Sequence, residues 1–377
     1  MVSLARKMLR HEWRRFLPAA LAVAFCGVLL VVQGSLVLGI FSTASVYVSA
    51  SSADLWFGYP GTQSVELGRP IPQIAELRAR MEPAVERVER FQWLDGDWRG
   101  PADHGGVSVF ITGIDPRPDG LLFSRLVSPA LRARLLEPDT FLVDLADRDK
   151  LGVHEGASGE LNGHRVRLAG TVRGVRALGG VNIITSLQTA HTLGAPGPGS
   201  RSMTYLLAKL REGDQIAPAL SRLRAGASPH RYAIWTRDEF SQRAIAFWLL
   251  DTGAGLGFLF AAAVVVLVGV TITSQTMMSV IGGSIREYAT LRALGVARAD
   301  LRRVVLEQAA WIGGLGVATA AILSAVVIAL AQWQFVPVAV TPSMALLCAG
   351  LVIGVALISG AAAGRSLRNA DPALLLR

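Results

Sequence analysis

The sequence predicts an α-helical membrane protein with four transmembrane helices, arranged as one plus three around a single α+β domain. Hydrophobic residues make up 51% of the 377 residues and charged residues only 17%. Soluble domains carry about a quarter charged residues, so part of the chain must be deeply apolar. The apolar runs lie near the start and in the last third. The middle has an ordinary composition and is long enough to bury its own core.

The first apolar run, 16–41, predicts transmembrane helix 1 behind a short cytoplasmic segment, 1–15. A helix of this length measures about 37 Å and can cross a bilayer with some tilt. A cleaved signal peptide is the alternative interpretation. The run is longer than a signal-peptide apolar region, and no compact small-residue site closes it, which favours an uncleaved anchor.

The region 244–377 contains three more apolar runs, at about 244–272, 309–331 and 344–363. Thr236 and Glu239 form a capping box just before the first of these runs. Nothing breaks the helical pattern from there to Gly282. The sequence therefore predicts one continuous helix of about 65 Å, which would project from the bilayer as a stalk.

The distribution of charge predicts the orientation. The formal net charge is +9, and the excess of arginine falls in 1–15, in 282–308 and after residue 364. The loop 332–343 contains no Lys or Arg. By the positive-inside rule both termini and the 282–308 loop are cytoplasmic, and the domain 42–243 is extracytoplasmic. This pattern argues against a nucleic-acid-binding protein, which needs a basic patch on a soluble face.

The extracytoplasmic domain, 42–243, is predicted to be α+β. Asn162-Gly163 between two strand-like runs is a strong hairpin signal. Alternating or apolar runs predict further strands, and apolar residues at three- and four-residue spacing predict helices. The predicted strands are 140–143, 181–185, 203–210 and 231–235, and the predicted helices are 72–81, 129–136 and 215–224.

No residue pattern for catalysis, metal binding or cofactor binding is visible in this domain. Its histidines are isolated, without the i,i+4 partner of a helical metal site. Asp144, Asp147 and Asp149 surround Arg148 and Lys150, and a solvated charged loop is the simplest interpretation. No lysine of the chain follows a glycine, so the chain has no phosphate-binding loop for ATP.

The most informative segment is 284–295, which predicts a short amphipathic helix ended by a glycine. Such a helix could be held by a cytoplasmic partner, or it could lie among lipid headgroups. The residue pattern alone leaves both interpretations open. The residues that we expect to make the contact are Ile285, Arg286, Glu287, Tyr288, Leu291, Arg292, Leu294 and Gly295.

The stretch Arg-Glu-Tyr-Ala-Thr-Leu-Arg-Ala-Leu-Gly at 286–295 resembles the coupling segment of FtsX/MacB-type ABC transporter permeases, most closely the DevC-like branch. Segments 11–15, 113–116, 183–186, 236–240 and 370–373 resemble the same pattern in the same order. One departure is Arg-Ala-Leu-Gly-Gly at 176–180, where the DevC relatives usually carry a phenylalanine.

The resemblance implies an extracytoplasmic domain of the MacB periplasmic core type followed by an FtsX-like permease domain. It also implies a homodimer in the bacterial inner membrane, in contact with membrane lipid. A separate cytoplasmic ABC ATPase would bind the 284–295 helix, and a periplasmic adaptor of the membrane-fusion type would bind the external domain. The chain itself would be neither an enzyme nor a cofactor-binding protein.

Three functions remain open at this point. The resemblance implies an exporter permease that moves a lipid, glycolipid or other amphiphile by mechanotransmission. An FtsX-like signal transmitter would use the same motion to activate an external enzyme without transport. A membrane-anchored enzyme or sensor would need a catalytic constellation outside the membrane, and the sequence shows none.

Overall fold

The computed structural model describes residues 13–101, 106–194, 203–227, 230–283, 290 and 296–366. The chain divides into two units. Residues 40–253 form a mixed domain, and residues 1–39 together with 254–377 form a helical unit. Most of the predicted cytoplasmic segment 1–15 and the tail after residue 366 lie outside the described residues.

The described elements are as follows. The helices are α1 (Trp13–Ala44), α2 (Val46–Ser49), α3 (Ile74–Met81), α4 (Pro129–Arg134), α5 (Leu187–Leu193), α6 (Ile216–Ala225), α7 (Arg237–Ala246), α8 (Ala254–Gly283), α9 (Arg298–Trp333) and α10 (Pro342–Ser366). The strands are β1 (Leu55–Gly58), β2 (Val85–Arg99), β3 (Gly106–Ile114), β4 (Thr140–Asp144), β5 (Ser158–Leu161), β6 (His164–Val172), β7 (Val181–Ser186), β8 (Tyr205–Leu210) and β9 (Ala233–Thr236).

One half of the mixed domain is an antiparallel sheet in the order β9-β1-β8-β2. Successive side chains of a strand point to opposite faces, so each face has its own core. On one face Phe57 and Leu206 pack with helices α3 and α6. On the other face Trp56 and Tyr205 are fully buried with Phe240 of α7, at ring separations of 5.6 to 5.9 Å. This sheet therefore has apolar residues on both faces.

The other half is a closed ring of strands in the order β2-β3-β7-β4-β6-β5, because β2 pairs with both β3 and β5. Alternate residues fill its interior, among them Ile111, Phe141 and Ile183. Trp98 closes one end, and its indole N–H donates to the Leu151 carbonyl at 3.0 Å. The predicted Asn162-Gly163 hairpin is present, with φ of 50° and 80° at the two turn residues.

Strand β2 belongs to both halves. Residues 85–91 pair with β8 of the open sheet, and residues 92–99 pair with β3 of the ring. This strand is not predicted from the sequence, because Val-Glu-Arg-Val-Glu-Arg-Phe at 85–91 carries four charged residues and does not have the pattern of a buried element. In the structure the Glu89 carboxylate accepts two backbone hydrogen bonds and Arg90 forms an ion pair. These interactions stabilise both charges inside the strand.

The predicted continuous helix from 236 to 282 is wrong. Helix α7 begins at the predicted cap, where the Thr236 hydroxyl accepts from the Glu239 N–H at 3.1 Å. It then passes into a π-helical turn, Phe247–Asp251. Gly253 has φ of 74°, a left-handed conformation that ends the helix, and α8 starts afresh at Ala254. The expected 65 Å stalk is therefore two helices.

Among the residues that the structure describes, four helices are long and apolar enough to cross a membrane, as the sequence predicts. Their candidate spans are Phe16–Ala44, Ala254–Ser279, Arg303–Trp333 and Pro342–Ala362. In chain order one precedes the body of the mixed domain and three follow it. The second span begins about ten residues later than predicted, because the π-helical turn and Gly253 precede it.

Candidate functional site

The predicted coupling residues, Ile285, Arg286, Glu287, Tyr288, Leu291, Arg292, Leu294 and Gly295, lie outside the described residues. Their role remains a prediction. The structure does describe the two helices on either side of this segment. Helix α8 ends at Gly283, and α9 begins at Arg298 after Ala297 in an extended conformation.

Both flanks of the 284–295 segment are anchored in the core of the helical unit. Met277, near the end of α8, is 1% exposed, and Leu301 in the first turn of α9 is 4% exposed. Both belong to one hydrophobic cluster with Phe16 of α1 and with Val305. These buried side chains therefore pack α1, α8 and α9 against one another.

The helices of this unit approach closely at small residues. A Cβ added to Gly316 of α9 would lie 2.4 Å from the side chain of Val23 in α1. A Cβ on Gly360 of α10 would lie 2.5 Å from Ala309. Such contacts are typical of membrane helices, where close backbone approach replaces the hydrophobic driving force.

The GxxxG pairs prominent in the sequence are mostly not the residues that pack. Gly257, Gly350 and Gly354 have open space where a side chain would point, and so does Gly253. The pairs 253/257 and 350/354 therefore make no close helix contact among the described residues. Gly360, which forms a further GxxxG pattern with Gly364, does make such a contact, with Ala309.

Helix α8 exposes most of its apolar surface. Only 6% of its most hydrophobic 18-residue window is buried, against 33% for α1 and α10. Leu259, Phe260 and Leu267 are each about 70% exposed, at 68%, 72% and 67%. An apolar face of this size requires hydrocarbon or another protein surface as its surroundings.

The mixed domain carries a groove of about 420 Å³ between α3 and α6. Leu77 and Met81, one turn apart on α3, are 54% and 73% exposed along it. Arg78 and Arg222 also line the groove, and Arg222 pairs with the buried carboxylate of Glu82 at 2.6 Å. The groove thus combines an apolar strip with positive charge.

A buried ionic cluster joins β2 to the chain segment after β3. Glu89 is 2% exposed and accepts backbone N–H bonds from Leu121 and Leu122. Arg132 is fully buried and donates to the Asp115 carbonyl at 2.8 Å and to the Leu122 carbonyl. Burial raises the pKa of Glu89 to about 7, although the N–H bonds and the Arg132 charge lower it.

Two of the three aspartates expected in a solvated loop are buried. Asp144 and Asp147 are 4% and 1% exposed. Asp144 accepts from the Val175 N–H at 2.9 Å, and Asp147 pairs with Lys150 at 2.8 Å. These carboxylates hold the turn after β4 against the ring. Within the described ranges, no group of three or more metal-binding side chains occurs.

Comparison with known proteins identifies the C-terminal region. Residues 259–372 match the family model described as FtsX-like permease C-terminal. The matched range includes most of α8, all of α9 and α10, and the whole 284–295 segment. The last third of the chain is therefore similar to the C-terminal domain of FtsX-like permeases. With the four apolar helices it indicates a membrane protein. No curated protein sequence matches the chain at a significant level.

Solved structures show similarity at low identity. The periplasmic region of MacB from Actinobacillus actinomycetemcomitans is 12% identical, with a TM-score of 0.35, covering 52% of this chain and 94% of that one. The extracellular domain of the ABC-type transporter YknZ from Gram-positive bacteria is 12% identical, with a TM-score of 0.34, covering 48% and 99%. A domain of a putative permease from Porphyromonas gingivalis is also 12% identical, with a TM-score of 0.31, covering 49% and 90%.

Proposed function

We propose that this chain is the permease subunit of an ABC-type exporter in the bacterial inner membrane, with ATP hydrolysed by a separate cytoplasmic subunit. The observation that carries the proposal is the FtsX-like permease match, which spans 259–372 and so includes the predicted coupling segment. The lack of a glycine-lysine phosphate loop in the sequence agrees with a partner ATPase.

In this proposal both termini and the 284–295 segment are cytoplasmic, and the mixed domain is extracytoplasmic. The ATPase binds the amphipathic helix at 284–295. Its motion reaches α8, α9 and α1 through the shared core around Met277 and Leu301. The exporter then works by mechanotransmission, and its cargo is a lipid, a glycolipid or another amphiphile.

A homodimer is the proposed assembly. The open faces around Gly257 and Gly354 and the exposed apolar face of α8 support it, because GxxxG faces allow close packing of a second helix. The remaining exposed apolar surface of the four spans is covered by membrane lipid.

The groove between α3 and α6 is the proposed binding surface for a periplasmic adaptor of the membrane-fusion type. Its exposed residues Ile74, Leu77 and Met81 follow the i, i+3, i+7 spacing of one helix face. Two helices with apolar residues between them accept an amphipathic helix of a partner, and Arg78 and Arg222 favour acidic residues on it.

The coupling role is tested by replacing Glu287, Tyr288 and Leu291 together with alanine in the full chain. We expect loss of the co-purified ATPase and loss of its stimulation, with unchanged yield and dimer size in mild detergent. Gln334→Ala, an exposed change in the loop between α9 and α10, is the control and should leave both unchanged. Retention of ATPase binding by the triple variant would refute the docking assignment.

The same purification separates export from signalling. Partners recovered with the full chain are identified by mass spectrometry. An adaptor with a long helical hairpin supports export, whereas a cell-wall hydrolase supports the FtsX-like signal transmitter.

A further inference from the structure

The helical unit contains a groove of about 400 Å³ between α1, α9 and α10. Gly27 and Val31 of α1 form one wall, and Cys348 and Val352 of α10 form another. This volume lies within the range of about 300–1,000 Å³ for sites that bind small molecules. The groove belongs wholly to the helical unit, within helices that have the composition of membrane spans.

The floor of the groove is one face of α9. Ala321, Ser324, Ala325, Ile328 and Ala329 line it at helical i, i+3 and i+4 spacing. The groove extends along α9 from Val317 to Gln332, a distance of about 22 Å at 1.5 Å per residue. Half the hydrocarbon thickness of a bilayer is about 15 Å, so the groove is long enough for an extended lipid chain.

Small residues, mainly alanines, make up more than half of the groove lining, and they leave the space between the helices open. Ala321 and Ala325 are exposed although they lie between helices. Leucine or valine at these positions would fill the space, as Leu323 and Val326 cover other faces of α9. In a membrane, hydrocarbon must occupy such a space, because an empty apolar groove loses the dispersion contacts of its walls.

Ser324 is a polar residue in the lining of the groove. The residue is 2% exposed, and its hydroxyl has no hydrogen-bond partner within the described ranges of the chain. Serine and threonine in membrane helices normally donate to the carbonyl four residues earlier. Ser35 and Thr271 do so, at 2.7 and 2.8 Å. Ser324 is among the residues that line the groove, and its buried hydroxyl makes no such bond.

We propose that this groove binds the acyl chain of an ester- or amide-linked amphiphile, and that the Ser324 hydroxyl donates a hydrogen bond to the linkage carbonyl. The apolar walls accept the chain, and the carbonyl satisfies the Ser324 hydroxyl, which among the described residues lining this groove is the buried hydroxyl left without a partner. Gln332 lies at the far end of the groove, where the remainder of the amphiphile would leave it.

The inference deepens the proposed function, since it rests on placing these helices in a bilayer and adds a class of ligand and its site. It does not depend on the ATPase. Binding is measured on the full chain alone, so failure of the coupling experiment and failure of this one are separate results.

The test uses the full chain in phosphatidylcholine nanodiscs with two photoactivatable probes of equal chain length, one an acyl ester and the other an alkyl ether. We expect the ester probe to label peptides of α9 and α10 more strongly than the ether probe. Ser324→Ala should reduce ester labelling about fivefold, to the ether level, since one buried hydrogen bond contributes a factor of that order.

Ala325→Leu fills the groove and should reduce labelling by both probes about tenfold. Ala318→Leu adds the same side chain to an exposed position of α9 outside the groove and should leave labelling unchanged. If Ala325→Leu does not fold, Ala329→Leu replaces it. Equal labelling by ester and ether in the wild type would overturn the Ser324 contact, and labelling that survives the groove-filling change would overturn the site.

Discussion

The mixed domain and the helical unit use large apolar residues in opposite ways. In the mixed domain Trp56, Phe91 and Phe240 are fully buried. In α8 Phe260 is 72% exposed, and Leu267 of the same helix is 67% exposed. The mixed domain buries these three aromatic side chains away from water. The helical unit presents comparable side chains outward, as expected where the surrounding solvent is hydrocarbon.

The exposed fraction of an apolar side chain must therefore be interpreted together with the solvent that surrounds it. An exposed leucine on the mixed domain contacts water and is a candidate for protein binding. In the proposed bilayer placement, an exposed leucine on α8 that lies outside the dimer contact faces lipid, where its exposure costs nothing. The first two predictions below compare matched positions in the two units, and the third concerns a group that only the mixed domain contains.

The largest effect is expected from truncating one phenylalanine in each unit. Phe240→Ala removes a fully buried ring that stacks on Trp235 at 4.9 Å, and the cavity should cost about 3–5 kcal/mol of unfolding free energy. Phe260→Ala removes a ring exposed on α8 and should cost less than about 0.5 kcal/mol. Denaturant titration of the full chain in detergent, followed by tryptophan fluorescence, measures both. Equal losses would contradict the contrast between the two units.

A smaller effect, of about 3 kcal/mol, is expected from an arginine on α8. Leu267→Arg places a charge near the centre of its span, and its cost appears as a reduced membrane-inserted fraction. Met81→Arg is the control, because Met81 is 73% exposed on the mixed domain, close to the 67% of Leu267. This change should leave insertion unaltered. Normal insertion of the Leu267 variant would mean that α8 does not face lipid.

The smallest effect concerns pH and only the mixed domain. Burial raises the pKa of Glu89 to about 7, so the folded state keeps a proton that the unfolded chain has released above its ordinary carboxyl pKa. The resulting stabilisation is present at low pH and is lost as pH rises toward 7. Between pH 5 and pH 7 we expect a loss of about 2 kcal/mol.

Glu89→Gln should abolish this pH dependence, whereas Glu86→Gln, an exposed change on the same strand, should preserve it. Arg87, Asp115 and Arg132 also face this cluster, and the Arg117 partner lowers the pKa of Asp115, which places its titration below this window. A wild-type stability that rises from pH 5 to pH 7 would contradict the burial argument.

The sequence predicted the architecture where the pattern is long and uniform. Four apolar runs gave four helices, and Asn162-Gly163 gave its hairpin, because each rests on a strong local preference. Strand β2 was missed, since its charges at Glu89 and Arg90 are stabilised by residues distant in the chain. The break at Gly253 was missed because a single glycine in an apolar run does not by itself end a helix.

The two candidate sites also differ in how far the sequence alone can predict them. The 284–295 segment could be recognised from its local residues and from resemblance alone. The groove beside Ser324 could not, because its walls come from three helices more than 300 residues apart at the extremes. A stripe of alanines at helical spacing on α9 was the available signal, and small residues on a membrane helix more often indicate packing than a cavity.

Because strand β2 belongs to both halves of the mixed domain, it limits how this domain can be cut into fragments. Its fifteen residues are shared, with pairing to β8 ending at Phe91 and pairing to β3 starting at Gln92. A single cut at that boundary keeps each paired portion of β2 intact, but it puts β1 and residues 85–91 on a different fragment from β8 and β9, which belong to the same sheet and follow the ring in the chain. The open sheet therefore forms only when the segments before and after the ring are both present.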